Sequence, residues 1–227
     1  MPRKPPRRTR ERILELSLTL FNQFGEPHVT TTTIAEEMRI SPGNLYYHFR
    51  NKDEITGSLF EHFEREMDRL LDATARGTPT VEDGWLFLHL LFEVIWRHRF
   101  LYRDLADLLS RNRKLEVRFK AILQRKTQAS LALCQGLARA GTLSATPREV
   151  EALATNMVVV TTWWLSHEYV RNARHFSEPA AQAAMVARGA YQVLALTAPY
   201  LTGQARELFE RLASQYLQPD ASHLQPD

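Results

Sequence analysis

The stretch S-P-G-N-L-Y-Y-H-F-R-N-K-D-E-I, from Ser41 to Ile55, gathers two tyrosines, a histidine, an arginine and a lysine behind a Ser-Pro-Gly start. Side chains of these types serve acid–base catalysis, metal ligation or phosphate binding. His48 has no second histidine or acidic residue at ligand spacing on the same short helical segment, so no metal is expected. Two other sets could do chemistry: His89 with Glu93, four apart, and the group Trp96, Trp163, Trp164, His167 and Tyr169, whose rings carry polar tips. An enzyme built on His89, Glu93 and His167 would need a nucleophile–base–orienter set, an H-E-x-x-H pair or a glycine-rich phosphate loop, and none is visible. Binding is therefore expected rather than catalysis, with no cofactor.

The 227 residues are 44% hydrophobic, ample for a packed core. Cys134 is the only cysteine, which rules out an intrachain disulfide and a multi-thiolate metal site and fits a reducing cytoplasm; it reads as a small core hydrophobe. The basic start runs into an amphipathic segment rather than a continuous apolar one, so export is not expected. Neither Trp85–Trp96 nor Ala152–Val170 offers the roughly 18–20 uninterrupted apolar residues of a membrane span. Charge is uneven: residues 1–52 hold nine Lys/Arg against five Glu, and the remainder twenty against twenty-one acids. A polyanion contact would belong to the first quarter.

Nearly every segment has helical period, which predicts an all-α fold. A first helix is expected over about Thr9 to Phe24, with Ile13, Leu16, Leu20, Phe21 and Phe24 on one face and Gly25 as its stop. A second begins in the run Thr30–Thr33 and turns at Arg39 and Ile40. Ser41 caps a third, with Pro42 at its first position and Leu45 and Phe49 facing inward. Asn51 and Glu54 form an N-x-x-E cap for a long fourth helix with the stripe Ile55, Leu59, Phe63, Met67 and Leu70, ending near Gly77. After G-T-P-T (Gly77 to Thr80), two helices are expected over Val81 to Ser110. Four more follow: Lys114 to Ala140, Pro147 to Arg171 capped by Thr146, Pro179 to Thr197, and Gln204 to Leu217. A polar tail, residues 219–227, closes the chain and is expected to fray.

Two short helices joined by a tight turn, the second offering polar side chains, form a helix-turn-helix. Over about Arg10 to Leu59 the chain resembles the DNA-binding head of the tetracycline-repressor (TetR) family. The resemblance rests on I-A at Ile34, S-x-x-x-L-Y-Y-H-F from Ser41, and K-x-E-I from Lys52. It implies duplex DNA as partner, with phosphates held by Thr30, Thr31, Thr32, Tyr46, His48 and Lys52. Pro42, Gly43, Asn44 and Tyr47 would face the major groove, Asn44 offering a donor–acceptor pair for adenine; Tyr47 has packing inward as its alternative. Arg7, Arg8 and Arg10 form a basic arm that follows the DNA backbone, enters the minor groove or is simply solvated. The resemblance assigns residues 1–52 to the head and 53–218 to a helical body that binds an effector and dimerises.

The same resemblance implies a homodimer, a palindromic operator and a small-molecule effector that lowers operator affinity through Ile55 to Leu71. Leu153, Val160, Trp164, Val193 and Leu196 are candidate dimer contacts. His89, Glu93, Trp96, Trp163, Trp164 and His167 are candidate effector contacts, and each has a core or mutual-pairing role as its alternative. An apolar lining points to a hydrophobic or amphipathic effector. An effector-independent DNA-binding protein with a chromosome or division role is the other reading that the residues leave open.

Overall fold

The computed structural model describes residues 6–73, 79–176 and 178–216. The expected end of the fourth helix at Gly77, the start of the G-T-P-T break and the 219–227 tail lie outside the described residues. Among those described, every extended element is helical: α1 (Pro6–Phe24), α2 (Thr31–Glu37), α3 (Pro42–His48), α4 (Lys52–Ala73), α5 (Val81–Arg97), α6 (Arg99–Arg103), α7 (Leu105–Arg111), α8 (Arg113–Arg139), α9 (Pro147–Arg171), α10 (Pro179–Ala195) and α11 (Gly203–Tyr216). No helix among them is long and apolar enough to cross a membrane.

Local chemistry sets most boundaries. Thr30, Ser41, Asn112 and Thr146 each accept a hydrogen bond from a backbone N–H in the first turn of α2, α3, α8 and α9. Thr80 with Asp83, and Thr146 with Glu149, form complete capping boxes. At α4, Asn51 accepts from the Glu54 N–H, and the Glu54 carboxylate reaches back to the Arg50 N–H. Between α2 and α3, Arg39 takes a left-handed conformation (φ 54°), and the Ile40 N–H closes onto the Ala35 carbonyl at 3.0 Å.

The segment Val81 to Ser110 departs from expectation, forming three helices rather than two. The breaks fall at His98 and Asp104, where no glycine or proline announces them. A side chain from α1 stabilises the first break: Asn22 donates to the Arg97 carbonyl at 2.8 Å and accepts from the Phe100 N–H at 3.1 Å. Those are backbone groups that an uninterrupted helix would pair internally.

In the body, α8 runs along α9 while α10 packs on both α5 and α9, and α4 reaches α1, α5 and α8. One apolar cluster extends from Ile13 and Phe21 in α1 to Phe209 in α11. Cys134 is buried beside the Met157 sulfur at 3.7 Å, and burial pushes its thiol up to about 11, so it stays protonated. His98 is buried at the α5–α6 break against Phe63, with no hydrogen bond to either ring nitrogen. Glu66 Oε1 lies 3.6 Å from it, too far for a good hydrogen bond, and that carboxylate is held by Arg97. Burial, aided by the Arg97 charge, lowers the His98 pKa from 6.5 to about 3.

Because the unfolded chain takes up this proton near pH 6.5 and the folded chain only near 3, stability should be full above 6.5 and fall as pH drops toward 3. The slope from this one group is about 1.4 kcal/mol per pH unit. His98→Phe should flatten that part of the acid limb in urea titrations run between these pH values; an unchanged slope would assign the acid sensitivity to other groups.

Candidate nucleic-acid interface

The sequence S-P-G-N-L-Y-Y-H-F sorts its residues by helical geometry. Leu45 and Phe49 are fully buried together with Ile13, Ile34 and Ala35. These anchors press one face of α3 against α1 and α2, so the opposite face carries Pro42, Gly43, Asn44, Tyr46 and Tyr47 outward, all exposed. Tyr47 is 78% exposed, which excludes the inward-packed alternative. The Asn44 side chain makes no hydrogen bond with the described residues, leaving its amide free. A Cβ added at Gly43 would meet nothing closer than Ser41 Oγ at 3.9 Å, so nothing inside the protein demands glycine there.

Phosphate-directed candidates converge beside this face. The Thr31 and Tyr46 hydroxyls lie 3.2 Å apart, linking the N-terminus of α2 to α3, and Thr32 is exposed next to them. His48 is half-buried with its ring edge-on to Tyr47 at 5.1 Å. Thr30 acts within the fold: its hydroxyl accepts the Thr33 N–H and contacts the Thr33 hydroxyl. The arrangement can hold an anionic oxygen at the α2 terminus while α3 meets base edges.

Two expected contacts are already engaged elsewhere. Arg10 belongs to α1 rather than to an extended arm, since the helix opens at Pro6 instead of Thr9. Its guanidinium lies over Phe49 and donates to the Ser58 hydroxyl at 3.1 Å. Arg8 is exposed on the same helix, whereas the side chain of Arg7 lies outside the described residues. Lys52 is also occupied: its ammonium donates to the Glu26 carbonyl at 2.9 Å and pairs with the Glu26 carboxylate at 3.1 Å.

Glu26, only 1% exposed, received no role from the sequence, yet its second oxygen accepts from Arg111 of α7 at 3.0 Å. Gly25 adopts φ 92°, and a Cβ there would lie 2.5 Å from Arg103 Nη2, a group that donates to the Phe21 carbonyl. With the Asn22 clamp, these contacts seat the end of α1 on α5, α6 and α7. A polar residue at the buried step of an apolar stripe is the signal that could have singled out Asn22. For Glu26, nothing local distinguishes it from a surface acid.

The effector candidates do not meet in one place. His89 and Glu93 pair with each other at 3.6 Å on the outer side of α5, where His89 borders a groove of ≈290 Å³ with Trp85, Leu86 and Leu212. Trp96 is buried against Phe176, Trp164 stacks on His167 and donates to the Met185 carbonyl, and Trp163 points outward. A separate cleft of ≈420 Å³ opens where α1 meets α6 and α9, bounded by Phe24, His28, Arg103, Tyr169 and Val170. Among the dimer candidates, Leu153 and Val193 lie in the core of the single chain and cannot also face a partner; Val160, Trp164 and Leu196 are half-buried.

The Lys52–Glu26 pair predicts a stability effect independent of DNA. Lys52→Ala should lower unfolding free energy by about 1–3 kcal/mol, because Glu26 would keep a single cationic partner in a buried setting. Urea denaturation without DNA measures this, and an unchanged midpoint would remove the structural role.

Known proteins match the chain along its length. The family model for the TetR N-terminal region, described as bacterial regulatory proteins of the tetR family, matches residues 13–59. A second, described as a bacterial transcriptional repressor, matches residues 62–209. The crystal structure of a TetR-family transcriptional regulator from Marinobacter aquaeolei VT8 is 36% identical, covering 92% of this chain and 98% of that one with a TM-score of 0.81. Among curated proteins, the probable HTH-type transcriptional regulator YttP of Bacillus subtilis is 25% identical over 43% of this chain and 51% of its own length. The nucleoid occlusion factor SlmA of Haemophilus ducreyi is 30% identical over 34% of this chain and 38% of its own length. The chain thus spans about half or less of the length of these two curated relatives. With the α2–turn–α3 head and the all-α body, these matches establish that the chain belongs to the TetR family of bacterial transcriptional regulators, non-enzymatic DNA-binding proteins.

Proposed function

We propose that this chain is a homodimeric, ligand-responsive repressor acting in the cytoplasm, which binds a palindromic operator through α3 and is released by a small hydrophobic or amphipathic effector. Residues 1–52 supply the DNA contact, and residues 53–218 supply effector binding and dimerisation. The observation that carries this reading is the division of α3. Leu45 and Phe49 are consumed in the core, while Pro42, Gly43, Asn44, Tyr46 and Tyr47 stand exposed beside the Thr31 hydroxyl. Such a row of donors, acceptors and aromatic side chains on one exposed helix face fits a major groove.

Dimerisation is supported by a stripe on α9. Val159, Trp163 and Val170, spaced four and seven apart, share one face and are 52%, 49% and 82% exposed. Exposed apolar side chains in such register are the usual mark of a partner surface. Two copies joined there would present two α3 helices to one side of a duplex, as half-sites about 34 Å apart require. This face takes over the role that the sequence assigned to Leu153 and Val193.

Selection of operators from a random duplex pool, followed by titration of variants, tests the DNA reading. Asn44→Ala should cost about 1–3 kcal/mol at one base pair per half-site and relax the choice there, whereas Tyr46→Phe should weaken all sequences alike. Failure to enrich any sequence would overturn the proposal. Trp163→Arg should weaken self-association by about 2 kcal/mol or more in sedimentation equilibrium and lower operator affinity with it; an unaltered dimer would move the interface to another face.

A further inference from the structure

The buried stripe of α8 runs Leu115, Phe119, Ile122, Lys126, Ser130, Leu133 and Leu137, with one cation among its core positions. Lys126 is 2% exposed. Its ammonium makes one hydrogen bond, to Thr162 Oγ1 of α9 at 3.1 Å, and lies 5.8 Å from the centre of the Tyr102 ring on α6. No carboxylate among the described residues pairs with it. The Tyr102 hydroxyl is likewise buried without a hydrogen-bond partner, and its ring packs edge-on against Phe63 of α4 and Phe119 of α8. Burial lowers the Lys126 pKa to about 7 and raises that of Tyr102, which keeps the phenol a donor.

An unpaired ammonium and an unpaired hydroxyl in an apolar interior both destabilise the fold, and an aliphatic residue at position 126 would simply continue the stripe. Lys126 has no counter-charge and keeps N–H groups beyond the one given to Thr162, and the Tyr102 hydroxyl has no acceptor at all. We propose that the body binds a hydrophobic acid whose carboxylate pairs with Lys126 and accepts the Tyr102 hydroxyl. One cation and one neutral donor match a monoanion; a phosphate dianion would remain undercompensated.

This assignment rests on the ligand-responsive reading above and specifies its effector. It also supplies a route to the head. Tyr102 belongs to α6, a five-residue helix between the breaks at His98 and Asp104. The same short helix gives the Phe100 N–H to Asn22, and its Arg103 donates to the Phe21 carbonyl. A ligand that draws on Tyr102 therefore bears directly on the element that seats α1.

The test titrates full-length protein with octanoate, dodecanoate and 4-butylbenzoate, and with octanol and dodecanol, following heat of binding and melting temperature. Acids should bind the wild type saturably, at least about tenfold tighter than the alcohols. Lys126→Met should melt higher without ligand and lose about 30-fold or more in acid affinity, and Tyr102→Phe about tenfold. Equal binding of acids and alcohols, binding of none of the acids, or undiminished acid affinity in Lys126→Met would overturn the assignment. A preference for the alkyl acids or for the arylcarboxylate would identify which kind of acid the site takes. Release of the selected operator, measured in parallel, separates the two readings. Acid bound at Lys126 without DNA release retains the site and removes ligand responsiveness; release of Lys126→Met by an uncharged compound does the reverse.

Discussion

The Asn22 amide at the end of α1 holds the structure's two halves in register. It occupies one carbonyl and one N–H that the break at His98 would otherwise leave without partners in a buried setting. Without that clamp, nothing in the local sequence stops α5 from continuing, and α6 would lose the angle that carries Tyr102 into the core and Arg103 to Phe21. Around the clamp, Glu26 gathers Lys52 from the start of α4 and Arg111 from α7. The turn at Gly25 leaves room for Arg103 that a side chain would fill. The orientation of α3 is thus referred, through α1 and α4, to polar contacts rather than to apolar packing alone.

Polar contacts of this kind suit a regulator. Apolar packing is tolerant of direction, whereas a buried amide or carboxylate is satisfied in few geometries, so a seam built from them has discrete arrangements rather than a continuum. An effector alters DNA affinity only through a difference in its interaction with two such arrangements. Short α6, with breaks at both ends and contacts to α1 and α9, is the element in which this difference can be expressed. Lys52 illustrates the overlap of roles. It opens α4, where the resemblance places a phosphate contact, and its charge is committed to Glu26.

Much of the head was legible from residue order because its determinants are local. Caps at Thr30 and Ser41, a proline at the first position of α3, and the Leu45–Phe49 spacing each act within one or two turns. The same holds for the all-α class, which follows from helical periodicity in nearly every segment. The body was less legible. Leu153 and Val193 have the apolar character of interface residues, and only their neighbours show that the single chain already buries them. His89, Trp96 and Trp163 share polar-tipped chemistry, but the fold points them in different directions.

What the sequence determined by itself was therefore the set of helices with caps of their own and the pair, Leu45 and Phe49, that α3 turns inward, since both depend on interactions a few residues long; the outward direction of Tyr47 came from the structure. The tertiary structure alone decided the division of Val81–Ser110 into three helices, the engagement of Arg10 and Lys52, and the isolation of Lys126 beside Tyr102. Each involves partners 24 or more positions away, and a side chain's role then depends on which distant group satisfies or fails to satisfy its hydrogen bonds.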